Sequence, residues 1–250
     1  MKNYEGKHIW IIGASSGIGR ALAIELSARG AHLALSARSE DKLNALNEEL
    51  GGNHRVFPLD VTNTDKFVKT ADAIHKKFTS LDSVIFLAAI YEPAPLAEMD
   101  IKLAHKMIAI NLGGAFNVVH ATLPILKAQK YGQLALCGSI AGYSGLPKGQ
   151  PYSATKAGVI NLAESLRAEE KDLDIKVINP GFVRTPLTDK NDFKMPMIIE
   201  PETAAKIIAK ELLTGRFEIH FPKGFTFFIK TMPRFINFLV SRRWFKNAEK

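Results

Sequence analysis

The apolar run His8 to Ile12 leads directly into Gly13-Ala14-Ser15-Ser16-Gly17-Ile18-Gly19, and a helical pattern follows from Arg20 to Arg29 with Gly30 as its stop. This stretch restricts the fold more than any other. Strand, glycine-rich turn and helix in that order form the context of a phosphate-binding loop. The glycines let the backbone turn sharply and approach a pyrophosphate, while the helix N-terminus offers unpaired N–H groups and partial positive charge. The spacing is G-x-x-x-G-x-G, which taken alone also fits an ordinary tight strand-to-helix turn.

The alternation continues along the chain. Apolar strand patterns lie at 8–12, 32–36, 55–59, 83–89, 133–138, 175–179 and 217–221, with helical patterns at 18–29, 40–50, 64–78, 100–129, 153–171 and 201–214. This predicts an α/β fold: a single Rossmann-like, doubly wound parallel sheet with helices on both faces. Ligands of such sheets sit beyond the C-terminal strand ends. With 250 residues, one α/β core accounts for the chain. Residues 1–222 are expected to form a catalytic domain with a substrate loop near 186–200, and 223–250 a basic aromatic extension of it. There is no internal repeat or low-complexity segment, and no metal site is expected.

Tyr152 and Lys156 are four residues apart, which places phenol and ammonium on one helix face. A nearby cation favours the phenolate, so a lowered Tyr152 pKa and proton exchange with a carbonyl or alcohol oxygen are expected. Ser139, thirteen residues upstream of Tyr152, supplies a neutral hydroxyl for the same oxygen. A Tyr-x-x-x-Lys pattern in isolation would mark only an exposed tyrosine and a solvated lysine.

Taken together, these segments resemble the short-chain dehydrogenase/reductase family, from about Lys7 to about Pro222. Gly13, Gly17 and Gly19 match its cofactor loop, and Asp60 with Val61 its adenine-contacting pair. Asn111, Ser139, Tyr152 and Lys156 match its catalytic tetrad; Pro180, Gly181, Val183 and Thr185 match the loop beside the nicotinamide. The resemblance implies hydride transfer to a carbonyl, with Tyr152 as proton donor and Ser139 holding the oxygen. Lys156 would also grip the nicotinamide ribose, and Asn111 would hold a water that passes protons to Lys156. Two positions depart from the pattern. Ile12 stands where the family has Thr, and Phe86-Leu87-Ala88-Ala89 replaces Asn-Asn-Ala-Gly, with Ala88 and Ala89 beside the cofactor. These changes are the one feature that favours a low-turnover nucleotide-sensing or scaffolding protein.

The second strand ends Leu35-Ser36-Ala37-Arg38-Ser39. Ala37 occupies the position where an NAD site carries an acid for the ribose hydroxyl. Arg38 suits a 2′-phosphate, and Ser15, Ser16 and Ser39 add hydroxyl donors. The expected cofactor is NADP(H), and the expected direction reduction of a small-molecule carbonyl, a lipophilic ketone ahead of a 3-oxoacyl thioester. Phe193, Met195, Met197, Ile198 and Ile199, with Tyr91, Tyr143 and Leu146, are candidates for an apolar substrate pocket.

The net charge is +8, and 223–250 carries seven Lys/Arg against one acid, interleaved with aromatic residues. Such a segment either packs on protein or lies on an anionic membrane surface; packing is favoured. No nucleic-acid motif accompanies the charge. The apolar content of 100–129 and 153–171 predicts a homodimer or homotetramer. Cys137, the sole cysteine, reads as a buried strand residue, and the N-terminal sequence, with too short an apolar run for a signal peptide, points to the cytoplasm.

Overall fold

A computed structural model describes residues 1–231. Seven strands form one parallel sheet: β1 (His8–Ile12), β2 (His32–Ser36), β3 (Arg55–Val56), β4 (Ser83–Phe86), β5 (Gln133–Cys137), β6 (Asp174–Pro180) and β7 (Glu218–Phe221). Their order is β3-β2-β1-β4-β5-β6-β7, so the chain reverses direction across the sheet between β1 and β4. That reversal opens a crevice at the C-terminal strand ends. The central strands are apolar at nearly every position because both faces are covered, as parallel sheets require.

Helices α1 (Gly17–Ser27), α2 (Glu40–Glu49) and α7 (Pro201–Leu212) close one face around Leu22, Leu26, Leu43 and Ile208. Helices α3 (Thr64–Phe78), α5 (Gly114–Gln129) and α6 (Tyr152–Glu169) close the other around Phe67, Val118 and Val159. The long helix expected over 100–129 runs from Ile101 to Gln129, with a π-helical turn, Ala109–Gly113, between α4 (Ile101–Ile108) and α5. Two strands are shorter than expected. β3 ends at Val56, although Phe57 and Leu59 still donate to Leu35 and Ala37 of the β2 side. β4 ends at Phe86, where the chain enters the crevice.

A further helix, α8 (Lys223–Thr231), packs against β7. Thr226 is buried and its hydroxyl meets His220, while Lys230 pairs with Glu218. The start of the basic extension is therefore attached to the domain, and its remainder, 232–250, lies outside the described residues.

His54 ties the far end of the sheet together. Its Nδ1 accepts from the Leu33 N–H at 3.2 Å and its Nε2 faces Ser27 Oγ at 2.8 Å, so the ring is held neutral with its proton on Nε2. Burial holds its pKa below the ordinary 6.5. As pH falls, the unfolded chain takes up the proton first, so stability is full above the unfolded value and is lost as pH drops through the folded one. We expect Tm to decline on acidification from neutral pH and His54→Gln to flatten that decline. An unchanged slope in His54→Gln, measured by thermal unfolding against pH, would contradict this account.

Candidate active site

A cleft of about 400 Å3 occupies the crevice beyond the strand ends. Its floor and walls include Gly13, Ser15, Ser16, Gly17, Ile18 and Gly19 from the turn before α1. Arg38, Ser39, Asp60 and Val61 line it beyond β2 and β3; Ala88 and Ala89 follow β4; Pro180, Gly181, Val183 and Thr185 follow β6. Ser139, Tyr152 and Lys156 also line it, whereas Asn111 stands behind the wall. Sequence reasoning missed Lys42, which lines the cleft together with Arg38.

The turn before α1 has the shape a phosphate group needs. Gly13 has φ +98°, and a Cβ there would lie 2.7 Å from the Ala88 nitrogen. A Cβ on Gly19 would lie 2.1 Å from the Gly13 carbonyl oxygen. Both glycines are therefore fixed by close backbone packing. The α1 N-terminus carries no side-chain cap on Ser16 and no acid in its first turn. Its N–H groups face the cleft free of a competing anion, so these residues fit a dinucleotide phosphate.

The two departures from the family pattern meet in space. Ile12 and Phe86 are register partners on β1 and β4, and both are fully buried in the same apolar cluster. Phe86 reaches Gly114, where a Cβ would come within 3.0 Å of its ring and of Val61. Polar groups are thus replaced by apolar ones on both strands at once, a change that leaves no partner orphaned.

The chemistry-bearing groups converge at the ends of β5 and α6. The Ser139 hydroxyl accepts from Ala141 N–H at 3.1 Å, and its effect on the Tyr152 phenol is to lower the phenol pKa. Lys156, 1% exposed, has its Nζ 5.5 Å from the Tyr152 ring centroid, on the face the i, i+4 spacing implies. Its ammonium donates to the Cys137 carbonyl at 2.7 Å. The expected lowering of the Tyr152 pKa is not what this geometry gives: burial pushes the phenol well above its ordinary value, and burial also pulls Lys156 down. Burial is the largest influence on the phenol, and Ser139 opposes it only in part. Cys137 is buried, with its thiol pushed up by burial, as a structural cysteine should be.

Asn111 lies in the π-helical turn and is fully buried. Its amide donates to the Ile90 carbonyl at 2.9 Å and to Thr155 Oγ1 at 3.3 Å, and its oxygen accepts from Ile90 N–H at 2.8 Å. The side chain clamps the loop after β4 to α6. At the far rim, the Asp60 carboxylate accepts from the backbone and hydroxyl of Thr62, which hold its pKa below the usual carboxylate range with smaller help from Arg38 and Lys106.

The loop after β6 is closed at its base by a bridge between Val183 and Ile199. Pro186, Leu187 and Thr188 line the cleft. Met197 is exposed and Ile199 is held in the bridge, so neither lines the cleft as the sequence suggested. Tyr143 is also turned away: its hydroxyl donates to Glu218, beneath Lys230. Tyr91 stacks edge-on against Tyr152, with ring centroids 5.0 Å apart.

Comparison with known proteins gives a consistent picture. The short chain dehydrogenase family profile matches residues 7–195. An uncharacterized oxidoreductase of Myxococcus xanthus is 33% identical over 85% of this chain and 86% of its own length. The 3-oxoacyl-[acyl-carrier-protein] reductase FabG of Escherichia coli is 32% identical over 74% of this chain and 77% of its own. Among solved structures, an alcohol dehydrogenase from Thermococcus sibiricus complexed with 5-hydroxy-NADP superimposes with a TM-score of 0.79 at 28% identity, covering 86% of this chain and 96% of that one. A short-chain dehydrogenase/reductase from Burkholderia phymatum in complex with NAD gives a TM-score of 0.84 at 21% identity, covering 96% and 97%, and shares the fold.

Proposed function

The chain belongs to the short-chain dehydrogenase family, oxidoreductases that act on carbonyl and alcohol groups with a nicotinamide cofactor, and on that premise we propose that it is an NADP(H)-dependent carbonyl reductase. The observation that carries the cofactor choice is the rim beyond β2, where Ala37, Arg38, Ser39 and Lys42 bring two cations and no acid to the cleft. A 2′-phosphate is the group such a rim recognises; a free ribose hydroxyl would call for a carboxylate.

The bound cofactor supplies the hydride. The chain's own residues bind, orient and protonate. The turn Gly13 to Gly19 and the α1 N-terminus take the pyrophosphate, and Asp60 and Val61 bound the adenine side. Pro180, Gly181, Val183 and Thr185 wall the opposite end. Ser139 holds the substrate oxygen, and Tyr152, kept protonated by burial, gives that oxygen its proton. Lys156 and Asn111 hold the pocket's shape through the Cys137 carbonyl and the Ile90 backbone.

The substrate we favour is a lipophilic ketone, because Leu87, Ile90, Ile110 and Leu187 add apolar lining to the cleft that Tyr152 also lines. A 3-oxoacyl thioester is the second reading, favoured by the reductase relatives at 31–32% identity. A panel of ketones of graded chain length, run beside acetoacetyl-CoA with NADPH and the purified protein, separates them. Turnover rising with ketone chain length supports the first; preference for the thioester supports the second.

We also infer a cytoplasmic homodimer or homotetramer whose residues 1–222 form the catalytic unit with α8 packed on it. Phe116 is 54% and Ile108 43% exposed on the α4–α5 face, an apolar surface suited to a second copy. The Thr226 and Lys230 anchors favour packing over a membrane role for the start of the basic extension. Light scattering with and without anionic vesicles tests both. A dimeric or tetrameric mass without vesicle association is expected; a monomer, or salt-sensitive vesicle binding, would contradict one or the other.

A further inference from the structure

Tyr91 joins two parts of the site that the mechanism above leaves separate. It leaves the loop after β4, which Asn111 clamps to α6, and its ring meets the Tyr152 ring at 60° with 5.0 Å between centroids. Its hydroxyl donates to Asn191 Oδ1 at 3.0 Å, 100 residues further on, in the loop that covers the cleft. That loop, 184–198, is fixed at its base: Arg184 N–H donates to the Ile199 carbonyl at 2.9 Å, and Ile199 N–H to the Phe182 carbonyl at 3.1 Å. Its outer part is tied to the loop after β4 by Tyr91–Asn191 and Lys190–Glu92, and to the segment before α6 by Lys148–Asp192.

These three contacts differ in kind. Both ion pairs are well exposed, and exposed pairs contribute little. The Tyr91 hydroxyl is partly buried, so of these three polar contacts its hydrogen bond is the one that water competes for least. The same side chain shields the phenol that the proton must leave. When the tip lifts, Asn191 goes with it and Tyr91 loses the partner that fixes its ring.

We propose that Tyr91 is a positioning residue that couples closure of the 184–198 loop to the setting of the Tyr152 phenol. The proposal assumes Tyr152 is the proton donor, as argued above. Tyr91 itself is not among the residues lining the cofactor cleft, although Pro186, Leu187 and Thr188 of the loop it holds are.

The test uses the full chain with NADPH and four variants: Tyr91→Phe, Tyr91→Leu, Asn191→Leu and the double Tyr91→Phe/Asn191→Leu. Trypsin cleavage after Lys190 and Lys194 reports how often the loop is open, without any substrate. Tyr91→Phe and Asn191→Leu should each speed cleavage about fivefold, the effect of one neutral hydrogen bond. The double variant should be no faster than either single, because both remove the same bond. With whichever compound of the ketone and acetoacetyl-CoA panel the wild type turns over fastest as probe, Tyr91→Phe and Asn191→Leu should raise KM and leave kcat near wild type. Tyr91→Leu removes the ring as well, and should lower kcat about three- to tenfold, the worth of an aromatic pair. It should also move the alkaline limb of the rate profile to lower pH, since a wetter phenol ionises sooner. Unchanged cleavage in the single variants, additive cleavage in the double, or wild-type kcat and pH profile in Tyr91→Leu would each overturn the proposal. Tyr152→Phe, run alongside, tells the two failures apart: if it turns over normally, the proton-donor reading is wrong, whatever the loop does.

Discussion

Tyr152→Phe should bind NADPH as the wild type does and lose carbonyl reduction by about 10²- to 10⁴-fold, the range expected for removal of a general acid. The ring is kept, so its packing against Tyr91 and the approach of Lys156 survive. What disappears is the phenol hydroxyl of a residue that lines the cleft together with Ser139. Because burial raises this phenol, Tyr152 keeps its proton through neutral pH. Reduction needs the protonated form, so the rate should fall only on the alkaline side, and that limb should be absent from any residual activity of Tyr152→Phe. Steady-state kinetics against pH, with cofactor titration as control, checks both parts. A variant with wild-type kcat would refute the assignment of the acid.

The second large effect is on cofactor choice. Arg38→Asp puts a carboxylate where the rim now offers a guanidinium. Losing one charge-assisted contact is worth about 1.5–3 kcal/mol, so NADPH binding should weaken by at least about tenfold. NADH, which has no 2′-phosphate, should bind as well or better. Lys42→Ala should shift preference in the same direction by less, because Arg38 remains. Calorimetric titration of both cofactors into the wild type and the two variants measures this. A wild type that prefers NADH would remove the reading at its root.

Much of this arrangement was legible before the fold was known, and the misses have physical reasons. The strand–glycine–helix opening placed the phosphate turn because glycine conformations and strand periodicity are local properties. The spacing of Tyr152 and Lys156 gave their common face because helix geometry is local too. The π-helical turn at Ala109–Gly113 was hidden, since the apolar pattern of 100–129 runs through it unbroken and only the inward clamp of Asn111 on Ile90 explains it. The Tyr152 pKa was misjudged because the sequence reveals the nearby cation but not the burial that outweighs it. Lys42 did carry a signal: a helix starting at Glu40, after Ser39, places it in the first turns beside Arg38. Tyr143–Glu218 and Tyr91–Asn191 join residues 75 and 100 positions apart, and no local rule brings such pairs together. The departures at Ile12 and Phe86 can be read in the sequence as the two ends of one replaced polar pair, and the sheet register makes them partners.

The central claim is that this cleft moves a hydride from NADPH to a carbonyl carbon while Tyr152 gives the oxygen its proton. The most direct test reduces one ketone from the panel with NADPH deuterated at the transferable position of the nicotinamide, and locates the label in the product by mass spectrometry. The account predicts one deuterium on the carbinol carbon of the wild-type product, in step with cofactor consumed, and almost no product from Tyr152→Phe. Product without deuterium, or equal labelled product from Tyr152→Phe, would contradict it.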